Sequence, residues 1–168
     1  MNPIQLRPVT VDDAMQIHRW KTDPLIQQMA LDESYVSSVE KQSHDIEQTE
    51  KNSHACYDII ELNGKAVGYI RIDWMNDQHT YAWLRFAMGE ERGKGIMKQA
   101  LSMYLSKLFT EGCHRVEGEV YSFNHVSQAL LEGLGFAKEG IKRKAHQFDG
   151  QSYDIYVYGL LAEEYPSG

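Results

Sequence analysis

Residues 80 to 112 constrain the fold more than any other stretch. Thr80 to Met88 is rich in aromatic residues and predicts a strand. Gly93 to Thr110 places Ile96, Ala100, Leu101, Tyr104, Leu105 and Leu108 on one face at i, i+3 and i+4 offsets. That spacing predicts an amphipathic helix, with Gly112 at its C-terminal cap. Between strand and helix lies Arg92-Gly93-Lys94-Gly95-Ile96-Met97. A helix with one apolar face must bury that face on another layer, so this unit requires a sheet beside it.

The rest of the chain supplies one. Ile4 to Val9 reads as a short first strand. Thr10 with Asp13 resembles a capping box, and the segment to Lys21 puts Ala14, Ile17 and Trp20 on one stripe. Asp23-Pro24 suits the start of a short helix, and Ser37 with Glu40 opens a polar helix to about Lys51. Ala55 to Leu62 and Ala66 to Trp74 read as strands joined by the hairpin turn Asn63-Gly64, with a second turn at Asn76-Asp77. His114 to Tyr121 is a strand, and Val126 to Leu134 a helix ended by Gly135. Phe136 to Phe148 and Ser152 to Leu161 are final strands about the turn Asp149-Gly150, and Gly140 predicts a bulge or break in the first of them. No repeat, low-complexity tract or linker interrupts the pattern. The 168 residues therefore read as one domain, α+β or mixed α/β, around a single sheet.

Composition narrows the function. With 42% hydrophobic and 24% charged residues, wholesale disorder is excluded. The 24 acidic against 17 basic residues argue against a general nucleic-acid binder and suit a cationic partner. No apolar run approaches the roughly 20 residues that span a bilayer. The N-terminus lacks the organisation of a signal peptide, and Cys56 and Cys113 show no framework spacing. A reduced, cytoplasmic setting without membrane contact is expected. The seven histidines show no metal-ligand spacing, so no metal is expected.

The segment from Arg92 to Met97 has the physics of an anion cradle. The first turn of a helix carries free N–H groups and partial positive charge. Glycines let a phosphate approach the backbone, and Arg92, Lys94 and Lys98 add full charges. A diphosphate is the natural ligand, and a basic surface turn is the alternative. The P-loop spacing and the dinucleotide fingerprint are both absent.

A second block, Asn124-His-Val-Ser127-Gln-Ala-Leu-Leu131-Glu-Gly-Leu-Gly135-Phe136, follows about 30 residues later. Together the two blocks resemble the GNAT superfamily of acetyl-CoA-dependent N-acyltransferases. The pyrophosphate loop of that family, [QR]-x-x-G-x-[GA], corresponds to Arg92-x-x-Gly95-x-Met97. Met97, Ser127 and the ending Asp149-Gly150-x-x-Tyr153-Asp154 look like the RimJ/RimL-type branch. The resemblance covers about Ala55 to Tyr165 and implies a central, mostly antiparallel, twisted sheet of six to seven strands flanked by helices.

The resemblance also implies roles. Backbone N–H groups of Arg92, Gly93, Lys94, Gly95, Ile96 and Met97 would bind the pyrophosphate of CoA. Phe86, Ala87 and Met88 would offer main-chain groups to the pantetheine arm and the thioester, with an N–H near Met88 holding the oxyanion. Asn124 would contact the cofactor, cap its helix, or do both. Many members have a tyrosine matching Leu131 as proton donor. Leucine cannot serve; members of the RimL-type branch carry a serine where Ser127 stands, so the resemblance makes its hydroxyl the candidate donor, the alternative being a polar residue on the first turn of the helix. The RimL-type base is a glutamate whose ungapped match is Gly89; a one-residue bulge would bring Glu90 into register, and Glu119 is a further candidate. Trp74, Tyr81, Trp83 and Phe86 read first as sheet residues and second as the floor of a substrate cleft. Lys142-Arg143-Lys144 reads as an exposed strand edge.

The reading that follows is acetyl transfer from acetyl-CoA to a primary amine by direct attack. The acceptor would be a protein N-terminus or a small molecule, and dimers, frequent in the family, are an expectation. A catalytically weakened acyl-CoA sensor or scaffold is the alternative, motivated by Leu131 and Gly89. A protein-interaction domain without CoA is a third.

Overall fold

The computed structural model describes residues 2–29 and 38–166. Seven strands form one sheet: β1 (Ile4–Pro8), β2 (Ala55–Leu62), β3 (Lys65–Trp74), β4 (Tyr81–Met88), β5 (Arg115–Tyr121), β6 (Ala137–Phe148) and β7 (Gln151–Leu161), in the order β1-β2-β3-β4-β5-β7-β6. Among the described residues five α-helices accompany them: α1 (Ala14–Lys21), α2 (Pro24–Met29), α3 (Val39–Lys51), α4 (Ile96–Thr110) and α5 (His125–Gly133). The class is mixed α+β. Every described strand pair is antiparallel except β4 with β5, and a parallel neighbour needs a crossover, here α4.

Helices cover both faces. On one, α4 buries the whole predicted stripe with Met97, and Leu131 and Leu134 of α5 and its cap join it against Ile70, Leu84, Val116 and Leu160. On the other, Ile17 and Trp20 of α1, Ile26 of α2 and Ile46 of α3 pack on Tyr57, Ile59, Tyr69 and Ala87. Each aliphatic side chain taken fully out of water contributes about 1.5–3 kcal/mol, so these two layers fix the sheet.

Local chemistry sets most boundaries where the sequence places them. Asn63 and Gly64 turn the β2–β3 hairpin with φ of 50° and 82°, and Asp149 and Gly150 turn β6–β7 with 51° and 75°. The β6–β7 register shifts between Lys138 and Gly140, as Gly140 predicts. The Asp13 carboxylate accepts from the Thr10 N–H at 2.8 Å, and this turn begins as a short 3-10 segment before α1. Ser37 lies outside the described residues; Ser38 caps α3, accepting from the Lys41 N–H at 3.2 Å. One boundary moves materially. Helix α4 begins at Ile96 rather than Gly93, because Gly93 and Gly95 sit at φ of 80° and 75°, outside the right-handed helical region.

No helix among the described residues is long and apolar enough to cross a membrane.

Candidate active site

The site begins where the parallel pair stops. Strands β4 and β5 are in register from Tyr81↔Arg115 to Leu84↔Gly118 and then part. Phe86, Ala87 and Met88 continue β4 against β3, while Glu119, Val120 and Tyr121 continue β5 against β7. The strands therefore open a wedge whose sides are main-chain edges. The crossover loop and the start of α4 lie at the mouth of the wedge, and α5 begins beside it.

A cleft of about 430 Å³ runs along this opening. Gly93, Gly95, Lys98, Phe86, Asn124 and Ser127 are among its lining. Leu25, Ile26, Val126 and Leu130 give it apolar walls. Val126 is 82% exposed and Leu25 44%, so the free protein leaves apolar surface for a ligand to cover. A small pocket of about 40 Å³ continues into the sheet, lined by Tyr69, Trp83, Arg85 and Glu119. It shares Met29, Phe86, Asn124 and Ser127 with the cleft, so the two adjoin.

The loop has the features an anion cradle needs. No side chain caps the start of α4. A Cβ built on Gly93 or Gly95 would meet nothing within 4 Å, so their backbones face open space. The Arg92 Nε donates to the Met88 carbonyl at 2.9 Å, and its Nη2 lies 3.4 Å from Asp23. These contacts tie the loop to β4 and to the start of α2. The Leu25 N–H, and then Arg92, hold the Asp23 carboxyl below its ordinary range. Lys94 pairs with Glu91, whose carboxyl is lowered by that contact. Arg92 and Lys98 line the cleft and supply its positive charge.

Asn124 is 8% exposed and both ends of its amide are engaged. Its oxygen accepts from the Ser127 N–H and its nitrogen donates to the Met29 carbonyl, each at 3.1 Å. It thus caps α5 and clamps that helix to the end of α2, forming cleft wall as it does so. Ser127, one turn into α5, reaches both the cleft and the inner pocket. Leu131 is fully buried against the core and offers the site nothing.

The carboxylates are separated sharply. A Cβ on Gly89 would fall 2.2 Å from the Trp20 indole, so no side chain of any kind fits there. The N–H groups of Gly89 and Glu90 both donate to the Val67 carbonyl, at 2.8 and 3.0 Å, the hydrogen-bond pattern of a bulge. That bulge does not bring Glu90 to the cleft. Its carboxylate lies 3.2 Å from Lys65 and 3.4 Å from the Gln16 amide. Glu119 instead lines the inner pocket, directly past the last β4–β5 pair. The structure therefore gathers Phe86, Ala87, Met88, Arg92, Gly93, Gly95, Ile96, Met97, Asn124, Ser127 and Glu119 around one opening, and leaves Lys94 and Glu90 outside its lining. The α2 wall was not foreseeable from local pattern, because Leu25 and Ile26 meet the loop only through the tertiary fold. Among the described residues no group of three or more His, Cys, Asp or Glu side chains could hold a metal.

Comparison with known proteins agrees with this geometry. Residues 4–137 match the model of the acetyltransferase (GNAT) domain. The prophage-derived uncharacterized N-acetyltransferase YokL of Bacillus subtilis is 35% identical over 121 residues, covering 71% of this chain and 68% of that protein. Among solved structures, spermidine N-acetyltransferase from Vibrio cholerae, in complex with CoA and spermine, superimposes with a TM-score of 0.89 at 20% identity, covering 97% of this chain and 98% of that one. RimL, a ribosomal L7/L12 alpha-N-protein acetyltransferase in complex with coenzyme A, gives 0.85 at 20% identity, covering 96% and 95%. At such identities the two structures speak to the fold.

Proposed function

This chain belongs to the GNAT acetyltransferase family and is an N-acetyltransferase with acetyl-CoA as co-substrate, and we propose that its acceptor is a primary amine, on a protein N-terminus or on a small molecule, which attacks the thioester directly. The observation that carries this reading is the uncapped start of α4, with its two open glycines, at the mouth of the β4–β5 wedge. The N–H groups from Arg92 to Met97 bind the pyrophosphate. The edge of β4 at Phe86, Ala87 and Met88 receives the pantetheine arm, and the acetyl carbonyl enters the wedge. An N–H near Met88 serves as the oxyanion donor.

In the chemical step a C–N bond forms as the C–S bond breaks. One proton leaves the nitrogen and one reaches the departing sulfur. Ser127 is the donor to sulfur, standing where cleft and inner pocket meet. Its contribution is bounded: a free thiol has a pKa near 8.5, so an unassisted thiolate is only about 2 kcal/mol uphill at pH 7. On the amine side the demand depends on the acceptor. An α-amino group of pKa about 7.7 is partly neutral at pH 7, whereas a lysine-like amine near 10.4 needs about 4.6 kcal/mol to deprotonate. Glu119 is the carboxylate placed to orient such an amine and pass its proton to solvent. Glu90 receives no step. The spermidine and L7/L12 activities named for the two structural neighbours bracket the acceptor class.

The test is thiol release from acetyl-CoA with a panel of amines and short peptides. Release that depends on the amine is expected, with Ser127→Ala lowering kcat by no more than about 30-fold, the equivalent of 2 kcal/mol. Absence of release across the panel overturns the reading.

A further inference from the structure

Among the described residues, the one carboxylate that lines the inner pocket, Glu119, already carries a primary ammonium. Glu119 is the first β5 residue beyond Gly118, where the parallel pairing ends, and its side chain is 18% exposed. It projects from the face of β5 opposite Val116 and Val120, which are buried toward α4. Its Oε1 lies 2.5 Å from Nζ of Lys142. Lys142 stands on the outermost strand, β6, two strands away, at the residue where β6 begins to lose register with β7. To reach Glu119 its side chain extends over the intervening β7.

The other charges around the pocket are neutralised within the protein. The Arg85 guanidinium lies over the Trp83 ring at 4.9 Å and pairs with Asp73 at 2.6 Å. Arg71 is shared between Asp45 and Asp73, each at 3.3 Å. The cation that Glu119 accepts is thus an alkylammonium, the same chemical group that the acetyl transfer consumes. The pair is held loosely: the Lys142 side chain is 54% exposed, and such pairs contribute about 0.2–1 kcal/mol.

We propose that Glu119 is the docking carboxylate for the acceptor's ammonium, and that Lys142 is an internal occupant of that site which the acceptor displaces. The inference rests on the acetyltransferase reading and deepens it by naming the acceptor's anchor. Lys142 then acts as a built-in competitor. It keeps a counter-ion on Glu119 in the free enzyme and raises the apparent KM for the amine. Acceptors with a second positive charge or an aromatic flank gain no advantage from this contact, because the contact reads only the primary ammonium.

The test uses the full chain, with spermidine, butylamine and a seryl-terminated peptide as probes. In steady state, Lys142→Met should lower the KM for at least one amine two- to fivefold, with the KM for acetyl-CoA unmoved. Glu119→Gln should raise the amine KM at least tenfold, and adding Lys142→Met to it should give no further change. Calorimetric titration of the same amines into the CoA-bound protein reads the site without turnover. Tighter binding by Lys142→Met, abolished by Glu119→Gln, is expected there. Equal amine affinity in wild type and Lys142→Met overturns the proposal, whether or not transfer is observed. Lack of thiol release with every amine, alongside intact amine binding at Glu119, would count against the enzymatic reading while leaving the docking site standing.

Discussion

Asp13 accepts from three donor nitrogens at once. Its two oxygens accept from the Arg7 guanidinium at 2.7 and 2.8 Å, and one of them also accepts from the Thr10 N–H at 2.8 Å. Burial would raise this carboxyl, but the Arg7 hydrogen bond and the Thr10 amide outweigh it, so it lies below its ordinary value in the fold. A lowered folded pKa stabilises the protein above the unfolded value, near 3.9, and that stabilisation is lost as pH falls through the folded one. Asp13→Asn should therefore cost about 1–3 kcal/mol at pH 7, with the gap from wild type narrowing below about pH 4. Denaturant titrations at pH 7 and pH 3 read this, and an equal gap at both would refute it. The spacing Thr10-x-x-Asp13 was legible in the sequence. The Arg7 partner was not, because β1 brings it there through its pairing with β2. Gly89 teaches the same lesson at the candidate site. Ungapped matching puts the family's glutamate position on it, but only the fold reveals that Trp20, 69 residues earlier, occupies the space a side chain would need.

At the scale of the element, the turn and α4 act as one device. The sequence located both, because apolar spacing and paired glycines are local signals. It placed the helix start too early, because composition does not report the sign of φ. The two left-handed glycines hold the chain out of the helix until Ile96, and the start of α4 is left without a side-chain cap beside the cleft. Gly95→Val tests the device. A β-branched residue at φ near 75° is strained by about 1–2 kcal/mol, and its side chain would project into the open space above the cradle. We expect a modest loss of thermal stability together with at least a tenfold loss of CoA affinity by calorimetry. A variant equally destabilised but with unaltered CoA affinity would show that the backbone there is not the phosphate site.

At the scale of the whole molecule, the sheet is two leaves joined along a short seam. Strands β1 to β4 form one leaf and β5 to β7 the other, in register only from Tyr81 to Leu84 against Arg115 to Gly118. The strand count was legible in the sequence, since each strand carries its own pattern. The seam, and the insertion of β7 between β5 and β6, were not, because long-range pairing leaves no local trace. A ligand in the wedge touches both leaves: Phe86 and Met88 from one, Asn124 and Ser127, which follow β5, from the other. CoA should therefore stiffen the seam rather than the two outer edges. At a concentration of 100 Kd, binding to the folded state alone adds about 2.7 kcal/mol, which for a chain of this size raises Tm by roughly 5–11 °C. Amide exchange tells where that stabilisation is felt. Protection should rise along the open edge of β4 from Phe86 to Met88 and in the first turn of α4, with little change in β1 or in the outer edge of β6. Uniform protection across all seven strands would mean that CoA stabilises the fold globally without bridging the wedge, and would remove the geometric basis for placing the thioester between β4 and β5.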